Sequence, residues 1–131
     1  MSAAYLDASA LVKLFKEEPE TGSLRQSLAQ WPVRVASELI RVEAICTARR
    51  LGDPAMLARA NTALTRLTLL PLTTEIIDLA IGEHRPALRA MDAIHLATAL
   101  SVRDELGAMF VYDTDLHAAA RAHQLNALAP R

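Results

Sequence analysis

The stretch Ala3-Ala4-Tyr5-Leu6-Asp7-Ala8-Ser9-Ala10-Leu11-Val12-Lys13-Leu14-Phe15 decides the fold. Its first four residues form an apolar run with no polar alternation. Such a run suits a strand buried on both faces, as in a parallel sheet. Asp7-Ala8-Ser9 closes the run, and Ala10 to Phe15 then reads as helix. The chain downstream repeats this order of strand, polar turn and helix.

Pro19 and Gly22 break the first helix from a second over Ser23 to Gln30, which Trp31-Pro32 ends. Val33 to Ala36 reads as a second strand. Ser37 is the N-cap candidate for a helix from Glu38 to about Leu51, stopped by Gly52. Asp53-Pro54 opens another helix with Pro in its first turn, and Leu57, Ala60, Leu64 and Leu67 give it an apolar stripe. Leu69 to Leu72 is a third strand candidate, Thr74 to Ile81 a helix, and residues 82–90 a connection. Met91-Asp92-Ala93-Ile94-His95-Leu96-Ala97-Thr98-Ala99-Leu100 lacks Gly and Pro and reads as a largely buried helix. It is expected to run to about Leu106 and to close at Gly107. Met109 to Tyr112 follows as a strand, Leu116 to His123 as a helix, and Asn126 to Leu128 as a short last strand. This alternation with short links predicts an α/β domain with a mostly parallel sheet covered by helices. No repeat, low-complexity tract or linker divides the chain, so residues 1–131 are expected to form one domain.

The chain is 52% hydrophobic but only 4% aromatic, so Leu, Ala, Val and Ile must fill the core. Its net charge of -1 excludes a global basic field, and any nucleic-acid binding must rest on local patches. The lone cysteine, Cys46, excludes an internal disulfide and a Cys-rich zinc site; it is expected as a small buried hydrophobe. There is no signal-peptide pattern, and no apolar run nears the ~20 residues that span a bilayer. A soluble, cytoplasmic protein is the expectation.

Parallel sheets gather functional groups at the carboxyl ends of their strands. Asp7 follows the first strand directly and Asp113 follows the strand at Val111-Tyr112. Asp92 opens a buried helix. Glu43 falls three and four residues from Cys46 and Leu39, on a face turned toward the core, where a lone carboxylate is costly. Asp115 lies two residues beyond Asp113. Each has an ordinary explanation as a helix cap, a first-turn acid or a half-exposed side chain. Together they describe anions clustered in one cleft, which repel unless a cation sits among them. An oxygen-only set favours Mg²⁺ or Mn²⁺ and suits phosphoryl chemistry with one ion, or with two about 3.5–4 Å apart.

Four motifs now make the chain resemble the PIN-domain nucleases, and among them the VapC-type toxins of bacterial toxin–antitoxin pairs. They are Tyr5-Leu6-Asp7-Ala8-Ser9-Ala10-Leu11-Val12-Lys13-Leu14, Ser37-Glu38-Leu39-Ile40-Arg41-Val42-Glu43-Ala44, Asp92 through Leu100, and Tyr112-Asp113-Thr114-Asp115-Leu116 with Ala118-Ala119-Ala120. They occur in the family's order and spread over nearly the whole chain. The resemblance implies a three-layer α/β/α sandwich and a metal-dependent endoribonuclease. It implies catalytic roles for Asp7, Glu43, Asp92 and Asp113, with Asp7 and Asp92 as the foremost magnesium ligands and Asp115 at a less constant acidic position. Ser9 matches a hydroxyl that lines the site and bonds a ligand carboxylate or a bound water. Val111 departs from the threonine that many relatives carry there. The implied partners are an RNA substrate, a VapB-type antitoxin and a second copy in a homodimer. The stripe on Leu57 to Leu67 and the early helices offer surfaces for such contacts or, equally, belong to the core.

Lys13, Lys16, Arg41, Arg85 and Arg89 are candidates to steer phosphates toward the cleft. His95, one turn after Asp92, reads as a packed, hydrogen-bonded histidine rather than a base; His84, His117 and His123 read as solvated. No side chain stands out as a protein general base. Competing readings are an inactive PIN-like binding module and a DNA-directed nuclease. Asp113-Thr114-Asp115 echoes the Asp-x-Asp of haloacid-dehalogenase-type phosphatases, but lies too near the C-terminus. A receiver domain needs a late lysine, and none follows Lys16.

Overall fold

The computed structural model describes residues 2–83 and 85–131. Five strands, β1 (Ala3–Leu6), β2 (Arg34–Ser37), β3 (Thr68–Leu70), β4 (Leu106–Phe110) and β5 (Ala127–Leu128), form one sheet in the order β3-β2-β1-β4-β5. Every pairing is parallel. The helices are α1 (Ala8–Phe15), α2 (Thr21–Leu28), α3 (Ile40–Leu51), α4 (Pro54–Thr65), α5 (Thr74–Ile81), α6 (Ala90–Ser101) and α7 (Thr114–Ala122).

The unalternated strand at the start has a simple cause. Ala3 and Tyr5 point into a core with Leu96 and Ala99 of α6 and Leu116 of α7. Ala4 and Leu6 point the other way, onto Ala10 of α1 and Leu24 and Leu28 of α2. Both faces are covered, so both parities are apolar. Met109 with Ala108 and Phe110 divides β4 in the same way. A third cluster packs α3 and α4 onto α1 through Leu11, Phe15, Ile40, Ala44, Ala48 and Ala60. Leu57, Leu64 and Leu67 pack against it, so the stripe of α4 belongs to the core. The result is the expected three-layer α/β/α sandwich.

The sheet order sets the position of the site. From β1 the chain moves to β2 and β3 on one side and to β4 and β5 on the other. The carboxyl ends of β1 and β4 therefore flank the point where the winding reverses, the usual crevice of such sheets.

Several boundaries differ from the sequence reading. α6 ends at Ser101, not near Leu106, and a 3₁₀ turn covers Arg103–Glu105. Asp104 and Glu105 would place anions at the negative end of a longer helix. Gly107 is not a helix stop. It lies in β4 where the register against β1 jumps, Ala3 facing Leu106 and Ala4 facing Ala108. A Cβ on Gly107 would fall 2.1 Å from Trp31 Cζ3, so the indole takes the space a side chain would need. Ser37 ends β2 rather than capping α3; its Oγ accepts the Leu39 amide at 3.2 Å, in the turn before the helix. Cys46 is exposed. The buried face of α3 runs through Ile40, Ala44 and Ala48, and a residue two positions from Ala44 points away from it. Gly52 does stop α3, in the left-handed conformation with φ 73°.

Candidate active site

Asp7 leaves β1 and caps α1. Its Oδ1 accepts the Ala10 amide at 3.1 Å and the Ser9 hydroxyl at 2.7 Å. The Ser9 oxygen in turn accepts the Tyr112 amide at 2.9 Å. One hydroxyl thus clasps the ends of β1 and β4 and fixes a carboxylate between them. Asp7 is 3% exposed. Burial lifts its pKa well above the usual carboxylate range, to about 6, and Glu43 adds to the rise; the bonds from Ser9 and Ala10 oppose it.

Asp92 stands in the first turn of α6, half-buried. Burial raises its pKa, and the negative charges of Asp113 and Glu43 raise it further, against Arg89. Asp113 caps α7, its Oδ2 accepting the Leu116 amide at 2.8 Å. Glu43, in the first turn of α3, is anchored by Oε1, 2.6 Å from His95 Nε2. The mutual fields make one cluster of Asp7, Glu43, Asp92 and Asp113. Asp7 and Asp113 are both helix caps, as the ordinary reading expects. Asp115 lies exposed in the first turn of α7, and its side chain makes no hydrogen bond among the described residues.

The basic candidates divide. Lys13 is engaged by Glu18 at 3.3 Å and Glu20 at 3.2 Å, and lies 4.6 Å from the centre of the Tyr112 ring. Lys16 lies 3.6 Å from Glu18, and Arg85 lies 3.2 Å from Glu83. Arg41 is exposed. Arg89 is exposed at the N-cap of α6, and its charge reaches Asp92. His95 is packed and hydrogen-bonded, as expected. His123 is not simply solvated; its Nε2 lies 3.1 Å from Glu83. His117 is half-buried, and His84 lies outside the described residues. Val111 is fully buried in the core with Leu96 and Leu116.

The sequence reading missed Tyr5. Its hydroxyl, buried inside an otherwise apolar strand, lies 2.7 Å from His95 Nδ1 and accepts the Ser37 amide at 3.2 Å. The signal was available: a Tyr and a His in phase on two buried elements each need a polar partner.

A cleft of about 720 Å³ opens elsewhere, between α1, α2 and α4, with Arg25, Arg34, Arg59 and Arg66 in its lining. Arg34 begins β2, so this cleft lies at the amino ends of the strands, away from the carboxylates.

A doubly covered parallel sheet with an acid after each of the two strands at its switch point defines a class, and the sequence model described as PIN domain matches residues 4–122. The chain belongs to the PIN-domain family, in its VapC branch. It is similar to Ribonuclease VapC46 of Mycobacterium tuberculosis, with 40% identity over 130 residues and 99% of either chain covered. Two solved structures share the fold. A toxin–antitoxin complex from Klebsiella pneumoniae gives a TM-score of 0.75 at 23% identity over 98% of each chain. Mycobacterium tuberculosis VapC20, a sarcin-ricin loop cleaving toxin, gives 0.72 at 22% identity over 89% of this chain and 95% of that one. No helix among the described residues is long and apolar enough to cross a membrane.

Proposed function

We propose that this chain is a metal-dependent endoribonuclease, the toxin of a VapBC-type pair. The observation that supports this reading is that Asp7 and Asp113 follow the two strands at the switch point while Glu43 lies in the fields of Asp7 and Asp92, and Asp113 in that of Asp92. The relatives support it, since the chain is similar over almost its whole length to a protein named as a ribonuclease.

The residues fit a hard divalent cation. All four donors are carboxylates, and Asp7 and Asp92 have raised pKa values, first from burial and then from neighbouring carboxylates, a cost a bound cation would offset. No group of three His, Cys, Asp or Glu side chains among the described residues is arranged to hold an ion by itself. Mg²⁺ commonly takes only one or two carboxylates and completes its shell with water and substrate phosphate. We assign Asp7 and Asp92 to Mg²⁺, or Mn²⁺, with Glu43 and Asp113 beside them and Asp115 as an outer acid. When bound, the ion would neutralise and polarise the scissile phosphate.

The chain's own residues hold the acids in place. Ser9 and the Ala10 amide fix Asp7, the amino end of α7 fixes Asp113, and His95 fixes Glu43. Arg89 is the cation we assign to a substrate phosphate. Lys13 and Arg85 already have carboxylate partners, and Ser9 spends its proton on Asp7, so contact with substrate is secondary for these three. A VapB-type antitoxin is the partner this reading implies, and the arginine-lined cleft suits an acidic segment of it. Exposed Ile77 and Ile81, one turn apart on α5, with exposed Met91 at the start of α6, support a homodimer.

The test is incubation of the purified, antitoxin-free protein with RNA and with single-stranded DNA, in Mg²⁺, Mn²⁺ or EDTA, beside Asp92→Asn. Discrete RNA fragments that need both metal and Asp92 are the expected result. Cleavage of DNA alone would replace the reading with a DNA-directed nuclease. Metal binding without cleavage of either would replace it with a binding module.

A further inference from the structure

A buried line of hydrogen bonds runs through the layers beneath the acids. The Ser37 amide donates to Tyr5 Oη at 3.2 Å, Tyr5 Oη lies 2.7 Å from His95 Nδ1, and His95 Nε2 lies 2.6 Å from Glu43 Oε1. Tyr5 is 0% exposed and His95 1%. The line joins β2, β1, α6 and α3, the elements that carry or adjoin Asp7, Asp92 and Glu43. It also joins opposite faces of the sheet. Ile40 and Ala44 of α3 pack with α1 and α4, whereas Leu96 of α6 packs under the other face.

The donors and acceptors give the line a direction. A phenol keeps its proton at neutral pH. The Tyr5 oxygen accepts from Ser37, and we assign its proton to His95 Nδ1, 2.7 Å away, rather than to Thr98, the other side chain beside the hydroxyl. The rings meet edge-on, at 77° between planes, so the hydroxyl can reach the in-plane lone pair of Nδ1. An imidazole that accepts at Nδ1 carries its proton on Nε2, where Glu43 Oε1 receives it.

We propose that Tyr5 and His95 are positioning residues of the acidic centre. Tyr5 fixes the Nε2–H tautomer of His95, and that N–H holds Glu43 by Oε1, leaving Oε2 as the oxygen available to a cation. Among the described residues Oε2 accepts no hydrogen bond. A histidine present only for packing would need its nitrogens satisfied, but not by one of the site's own carboxylates. Hydrogen bonds behind a ligand carboxylate orient it, and their loss commonly costs about 10–100-fold in metal affinity. The inference rests on the reading that the cleft takes a divalent cation.

Two measurements test it on the full-length protein. The first is the long-range ¹H–¹⁵N spectrum of ¹⁵N-histidine-labelled, metal-free protein, with the His95 signals assigned by their loss in His95→Gln. The Nε2–H tautomer is expected; an Nδ1–H tautomer or an imidazolium overturns the relay. The second is Mn²⁺ titration calorimetry on the wild type, Tyr5→Phe, His95→Ala and His95→Gln, with folding checked by circular dichroism. Tyr5→Phe and His95→Ala are expected to bind Mn²⁺ about ten-fold or more weakly. His95→Gln, which keeps an N–H donor for Glu43, is expected to recover most of the affinity. Wild-type affinity in folded Tyr5→Phe and His95→Ala would reduce the pair to packing. If either variant fails to fold, the tautomer still decides. A wild type that binds no Mn²⁺ overturns the metal reading itself, whereas a wrong tautomer in a Mn²⁺-binding protein overturns the relay alone.

Discussion

Asp7 does two jobs that pull against each other. As the cap of α1 it stabilises the fold; as a buried anion beside Glu43 it costs stability once ionised. Its folded pKa of about 6 lies above the unfolded value. The favourable contribution is therefore complete below pH ~4 and is lost as pH rises through about 6. Asp7→Asn keeps a capping oxygen and removes the charge. It should abolish cleavage and yet raise the melting temperature at pH 7.5, by up to about 3 kcal/mol of stability, with the gain vanishing near pH 4. Thermal melts across that range check it. Ser9→Ala should act the other way. It strands the Tyr112 amide and loosens Asp7, so denaturant unfolding should show a loss of about 1–3 kcal/mol, and cleavage should fall. At this scale the acids were legible in the sequence because carboxylates beside apolar runs are conspicuous. The engagement of Lys13 was not, because Glu18 and Glu20 reach it only once α1 has ended and the chain has turned into α2.

Among the elements, the strands were readable wherever both faces are buried, since β1 and the second half of β4 are apolar without a break. The end of α6 was not, because a glycine after a helical pattern usually stops the helix. Here Gly107 instead marks the register jump in β4, and its reason lies 76 positions earlier in the chain, at Trp31. Gly107→Ala should destabilise the protein by about 1–3 kcal/mol or more, measured by chemical denaturation. Trp31→Leu in the same chain should return part of the loss, because it frees the space the new methyl needs. Ser37 shows the same kind of limit. It does accept an amide as a capping residue would, but three residues before α3 begins, because it is held in β2 by its pairing with Leu70.

For the molecule as a whole, the alternation of elements announced a parallel α/β domain, but not the order of its strands. Placing β1 between β2 and β4 is a long-range choice, and it alone brings Asp7 and Asp113 to one crevice. Mn²⁺ at a hundred times its dissociation constant should add about 2.7 kcal/mol to wild-type stability and almost nothing to Asp92→Asn, read as a melting shift that EDTA reverses. The proposed homodimer predicts that Ile81→Lys is a monomer in sedimentation equilibrium and that its melt loses the concentration dependence of the wild type. The measurement that bears most directly on the acidic centre is anomalous diffraction from a crystal soaked in Mn²⁺. The account predicts an anomalous peak in contact with Asp7 and Asp92 and bordered by Glu43 and Asp113. A fully bound Mn²⁺ on other residues, with none between these four, would contradict it.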